Sequence, residues 1–267
     1  MKPWIAFLAL LAGTAQAAEP GEIPVNPALK DRFYFGLGAF FPKTTTQAQL
    51  DSATLGVGAN VDFERTLGME TAKTVPNVFG RWRIGERWRI EAEYFELNRN
   101  GSRTIDRDIQ WGDTVFPVNA NVSSSFDFYD LRVSAGYAFF KRTDKELGVA
   151  LGLHIAAYDV SLRANAIGNE QQDVLAPLPV LSAYGLFALT DQWAVGGRLD
   201  RFSLKYDKYD GSLTSLGLDL TYQPFRHVGF GVGYRSLFIT LEASEDSKRA
   251  RFKQTFEGPL LFLSASF

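Results

Sequence analysis

The sequence predicts an all-β chain: one antiparallel, up-and-down transmembrane β-barrel of about ten strands, with about eight to twelve compatible with the pattern. Three observations carry this. Residues 256–267 read F-E-G-P-L-L-F-L-S-A-S-F, which puts Leu261, Leu263, Ala265 and Phe267 on one face of an extended strand and Ser264 and Ser266 on the other. The same period of two recurs in segment after segment. Short and long connections alternate between those segments, as they do in barrels with tight turns on one side of the membrane and loops on the other.

Residues 1–17 read as a secretory signal peptide. Lys2 gives the positive start, Ile5 to Ala12 the apolar stretch, and Ala15-Gln16-Ala17 a small-x-small cleavage site. That stretch is shorter than the roughly 20 residues of a spanning helix, so cleavage is expected. Residues 18–30, rich in proline, are expected to form a periplasmic lead-in, and 31–267 a single barrel domain. The chain is 46% hydrophobic and 14% aromatic, yet no later stretch could cross a membrane as a helix, so the apolar content must sit on strands.

The strands follow in order. Residues 32–41 point Phe33, Phe35, Leu37 and Ala39 outward. Residues 55–63 alternate Leu55, Val57, Ala59 and Val61 against Gly56, Gly58, Asn60 and Asp62. Residues 77–84 place Val78, Trp82 and Ile84 outside and Phe79, Arg81 and Arg83 inside. Residues 88–95 place Trp88, Ile90 and Tyr94 outside and Arg89, Glu91 and Glu93 inside. Over 124–139, Tyr129 to Phe139 face out at odd positions, with Asp130 and Arg132 inside. Over 147–156, Leu147 to Ile155 face out and His154 in. Residues 179–189 are apolar on both faces. Trp193 to Leu199 face out, with Arg198 and Asp200 in. Leu216 to Tyr222 alternate with inward Asp219. Val228 to Tyr234 alternate with inward glycines and Arg235. The last strand covers about 250–267.

These are eleven candidates, whereas a single-chain bacterial barrel has an even number. Residues 44–51 are too polar on both faces to meet lipid, so 44–63 is expected to be a hairpin above the membrane, leaving ten. Were both arms to cross, the count would be twelve. Short turns fall near residues 86, 143, 191 and 225. Longer connections are expected near 42–54, 65–74, 99–120, 165–177 and 242–249, with a tighter one at 207–211. Counted back from a periplasmic C-terminus, every short turn is periplasmic. Trp88 and Trp193 follow short turns, and Tyr137, Phe139 and Tyr222 precede them, where an interfacial girdle belongs.

With these residues in view, the chain resembles the small outer-membrane barrels of Gram-negative bacteria, the broad OmpW-like and OmpA-like class. It looks most like an uncharacterised proteobacterial barrel group, through Ala176-Pro177-Leu178-Pro179-Val180, Asp210-Gly211-Ser212-Leu213 and Gly258-Pro259-Leu260-Leu261. The resemblance implies an outer-membrane location, contact with lipid and lipopolysaccharide, insertion by the barrel-assembly machinery with Phe267 as the signal, and a monomer. OmpW-like barrels have eight strands and an apolar lumen implicated in passage of small hydrophobic molecules. This chain departs on both counts.

The inward faces carry a charge network of both signs: Arg81, Arg83, Arg89, Glu91, Glu93, Asp130, Arg132, Arg198, Asp200, Asp219 and Arg235. Buried charges must be paired, so cross-strand pairs are expected for Arg132 and Arg235. Asp219 is the nearest partner for Arg235 if Tyr222 faces Val228 across the turn. Two readings stay open: a salt-bridged plug, or the lining of a narrow pore. The chain has no cysteine, which excludes disulfides and thiolate sites, and a formal net charge of −2 gives no reason to expect nucleic acid.

His154 and His227 are the only histidines, so neither a metal cluster nor a cofactor is expected. No catalytic constellation is visible, and the function expected is a structural barrel or narrow channel for small solutes. The alternatives are an enzyme acting on lipid or lipopolysaccharide, and an adhesin or receptor working through 99–120 and 165–177.

Overall fold

The computed structural model describes residues 25–267 except 53–56, 112–113, 166, 207–208 and 246–247. The signal peptide lies outside the described residues, as does part of the strand expected at 55–63. A short helix, α1 (Pro27–Lys30), precedes β1 (Phe33–Phe40). A hairpin follows, of β2 (Lys43–Ser52) and β3 (Val57–Asp62), then a single helical turn, α2 (Phe63–Thr66). The chain re-enters the wall in β4 (Val75–Ile84) and β5 (Trp88–Thr104). A small hairpin, β6 (Ile109–Trp111) and β7 (Thr114–Phe116), leads to β8 (Asn121–Lys141) and β9 (Lys145–Ala164). The wall continues through β10 (Gly168–Ala188), β11 (Trp193–Tyr206), β12 (Tyr209–Tyr222), β13 (Val228–Glu245) and β14 (Lys248–Ser266).

Ten of these strands form a closed antiparallel ring in which each pairs with its neighbours and β14 returns to β1. Leu37, for example, lies opposite both Val78 and Leu263. Beside β1, β14 is far longer, so its upper half would be a bare edge. The hairpin covers that edge: β2 pairs with β14 from Lys43–Glu257 to Ser52–Lys248, and β3 pairs with β2. The expected hairpin above the membrane and the count of ten are therefore what the fold contains.

Among the described residues the expected outward sets are exposed or half-buried and the inward sets buried or half-buried, except that Val61 of the hairpin is buried in the upper core. Trp88 meets Tyr137 at 5.0 Å and Trp193 stacks on Tyr222 at 4.6 Å beside the periplasmic turns, while Tyr94 and Tyr129 meet at 6.3 Å at the other border. These are two aromatic girdles on either side of an apolar band.

The loop expectations need correction. Residues 43–52 and most of 165–177 are paired strand, β5 runs on to Thr104, and β13 and β14 pair as far as Glu245 and Lys248. A tilted strand needs about 9–11 residues to cross a bilayer, whereas β8 and β10 each have 21. The surplus stands above the membrane, where polar outward residues look like loop in a search for lipid-facing alternation.

The lumen has two layers. Above the membrane it is apolar: Phe128 stacks on Phe256 at 4.5 Å, and Phe95 packs edge-on against Phe40 and Phe256 at 5.5 and 5.6 Å. Phe63, Phe126, Tyr158 and Phe252 continue that packing upward. Residues 63–70 pass inside the wall so closely that a Cβ on Gly101 would lie 2.6 Å from the Leu67 carbonyl oxygen, which requires glycine there. Buried Arg99 ties this cap down through Glu64, the Glu70 carbonyl and Thr46. Below lies the charged layer.

Candidate functional site: the charged lumen

Each charged side chain is aimed inward by strand parity, and barrel closure brings the strands' inward rows together. Arg235 on β13 grips Asp219 on β12 with both terminal nitrogens, at 2.8 and 3.2 Å, and donates from Nε to Glu93 on β5 at 2.8 Å. Glu93 also accepts from Arg132 at 3.0 Å and from Asn77 at 3.2 Å. Glu91 is bound by Arg89 at 3.1 Å, by Arg132 at 3.7 Å and by Arg198. Arg198 reaches Asp200 at 2.7 Å and Ser182 at 2.8 Å. Arg83, Arg89 and Lys141 converge on Glu146, and the Arg89 guanidinium lies 3.1 Å from the centre of the Tyr184 ring.

His154 is a member of this network. Its Nδ1 donates to Asp130 at 2.9 Å, and Nε2 faces Asp200 at 3.6 Å. Among the described residues no hydroxyl hydrogen-bonds to His154, and the ring is 2% exposed, so it is held as a buried member of the charge lattice. His227 is exposed in a periplasmic turn, donates to the Ser266 carbonyl at 2.8 Å, and stacks on Phe267. Phe267 itself is outward and exposed, with its backbone bonded to Phe33 in both directions.

All eleven charged residues expected in the lumen line it, and the expected pairs of Arg235 with Asp219 and Arg132 with a neighbouring carboxylate are present. The register differs. Tyr222 faces Phe230 rather than Val228, which puts Arg235 opposite Gly217, one diagonal step from Asp219 and within easy reach. Ties that span the lumen were not legible: Arg235 to Glu93 and Arg198 to Glu91 join strands on opposite sides of the ring. Glu146 was missed because it adjoins the charged turn at 141–145. Its parity with inward Gly148 and His154 was the available signal.

The periplasmic mouth is stoppered by α1. Asn26 caps this turn by accepting from the Ala28 amide at 2.9 Å, and its side-chain amide donates to the Thr190 and Asp191 carbonyls at 3.2 and 3.1 Å. Ala28 and Leu29 are buried with Tyr34, Leu186 and Ala194. The Ala28 carbonyl accepts from both Arg81 and Arg83. The last part of the expected lead-in is thus seated in the barrel.

A closed ring of ten strands, an apolar outer band between two aromatic girdles, and a paired charge network in the lumen define a Gram-negative outer-membrane β-barrel protein. Neither a family model nor a curated protein matches the chain. Among solved structures it is similar in fold to the outer membrane protease OmpT of Escherichia coli, at 10% identity and a TM-score of 0.57, covering 88% of this chain and 97% of that one. Two more distant likenesses are the toluene transporter TodX of P. putida (10% identity, TM-score 0.34, 92% and 93% covered) and Ail, the attachment invasion locus protein of Yersinia pestis (8% identity, TM-score 0.33, 86% and 99% covered).

Proposed function

We propose that the protein is a closed structural barrel of the outer membrane, braced through its lumen and not conducting solutes. One observation carries the reading: the lumen is crossed by a continuous ladder of ion pairs from Asp219 through Arg235, Glu93, Arg132, Glu91 and Arg198 to Asp200. The apolar aromatic layer closes the path above that ladder and α1 closes it below. Opening a path for hydrated ions would mean parting buried pairs, which costs several kcal/mol for each ion left alone. Planar-bilayer recording of the purified protein in concentrated potassium chloride tests the reading. The expected result is a silent membrane after insertion, and steady unitary steps at low voltage would overturn it.

A further inference from the structure

Inside the periplasmic half of the lumen is a cavity of about 110 Å³, lined among others by Tyr34, Arg81, Arg89, Arg198, Asp219 and Thr221. Arg81 is unlike the other lumen arginines. Arg83, Arg89, Arg132, Arg198 and Arg235 each contact a carboxylate within 4 Å, whereas Arg81 contacts none among the described residues. It donates to the Ala28 carbonyl and lies over the Tyr34 ring at 5.0 Å, and its Nε, like those of Arg83 and Arg89, has no hydrogen-bond partner among the described residues.

The charges around it do not balance. Among the described residues, six lumen arginines and Lys141 at the rim stand against six carboxylates, Glu91, Glu93, Glu146, Asp130, Asp200 and Asp219, which leaves one positive charge over before His154 is considered. Glu91, Glu93, Asp200 and Asp219 also face the cavity, and each is already gripped by arginine, Glu91 by three. A guanidinium half-buried among protein groups with no carboxylate in contact is costly. Here it borders a polar space large enough for several waters, at roughly 30 Å³ each, or for one compact ion.

We propose that this chamber binds one tetrahedral oxyanion of the phosphate or sulfate class, with Arg81 as its principal ligand. The Ala28 carbonyl marks the kind of group wanted: an oxygen between the forks of Arg81 and Arg83, neutral where an oxyanion would be charged. Charge-assisted bonds to guanidinium are roughly twice as strong as neutral ones, and the planar fork suits paired oxygens. Tyr34 and Thr221, whose hydroxyls lie 3.5 Å apart on the same wall, add neutral donors. The anion would supply the counter-charge that the chain lacks, and it needs no open pore. Binding and conductance are therefore separate readouts, and either idea can fail alone.

The test is isothermal titration of sulfate and of inorganic phosphate into the full chain in maltoside micelles, which carry no phosphate, at constant ionic strength. One saturable site is expected, weakened about tenfold or more in Arg81→Gln and unchanged in the outward control Arg201→Gln. Heat that never saturates, or an Arg81→Gln protein that binds as well as the wild type, overturns the proposal. Should Arg81→Gln fail to fold, the wild type decides: its unfolding midpoint must rise by about 5–10 °C at a hundredfold excess over Kd, and a midpoint indifferent to sulfate overturns the site.

Discussion

Replacing Arg235 with alanine tests whether the lumen is a brace or a water path. The side chain is 13% exposed and serves two carboxylates, Asp219 and Glu93. Glu93 keeps Arg132 and Asn77 after the substitution, so its loss is partial. Asp219 has no other cation within 4 Å among the described residues, although at 29% exposure some of its lost attraction returns as hydration. Breaking a buried pair from one side costs about 3–5 kcal/mol, and the remaining partners bring the expectation to about 3 kcal/mol. Removing the stranded acid should recover part of this, so Arg235→Ala with Asp219→Asn should show about 1–3 kcal/mol of coupling. The assay is urea unfolding of the refolded barrel in vesicles, followed by tryptophan fluorescence. If Arg235→Ala leaves stability within about 0.5 kcal/mol of wild type and the protein passes cation-selective current, Arg235 lines water and the bracing argument is wrong.

Three further outcomes follow from the wall. Val133 faces lipid at the middle of β8, so Val133→Arg should destabilise the inserted barrel by about 2–4 kcal/mol in the same unfolding assay. Gly101→Ala forces a Cβ against the Leu67 carbonyl and should cost about 1–3 kcal/mol, read as faster protease nicking of residues 63–74 in intact membranes. Asp159 lies directly between Asp127 and Asp173 on the outer face of three paired strands, so Asp159→Asn should stabilise by about 0.2–1 kcal/mol at low salt and by less at high salt.

Period-two alternation sufficed for the ten-strand wall, for the facing of most lipid-exposed residues outside 179–189, and for the lumen charges other than Glu146, because parity is a local property. Partners were harder. Arg132 could be matched to a neighbouring carboxylate, but the Arg198–Glu91 and Arg235–Glu93 ties depend on which strands face each other across the ring. No single segment encodes that. The length of the strands was missed for another reason. Residues 168–175 are polar or isolated apolar positions on the outward face, and nothing in them says lipid. They are strand because β9 continues beside them and supplies their backbone partners. α1 was legible only as proline-rich chain, since its burial rests on the barrel mouth around it.

The two lumen layers follow from one change of phase along the strands. On β8 the apolar positions are the odd, outward ones from Tyr129 to Phe139, with Asp130 and Arg132 inside; one step higher, Phe126 and Phe128 are inside and Asp127 is outside. β9 switches between outward Ile155 and inward Tyr158, and β5 between outward Tyr94 and inward Phe95. Below the switch, lipid rewards apolar residues outside, and the wall is inverted relative to a soluble barrel. Above it, water lies outside, and the hydrophobic effect pulls Phe and Leu inward as in any soluble core. The switch therefore marks the height of the outer membrane border, independently of the aromatic girdle. Tyr94 and Tyr129 sit at that height on adjacent strands. Two unrelated signals, ring chemistry at the interface and the inversion of hydrophobic phase, place the border within about one residue pair, which spans about 7 Å along a strand. The charged layer then lies between that border and the periplasmic turns, where its pairs replace the apolar core that the lipid-facing wall has turned outward.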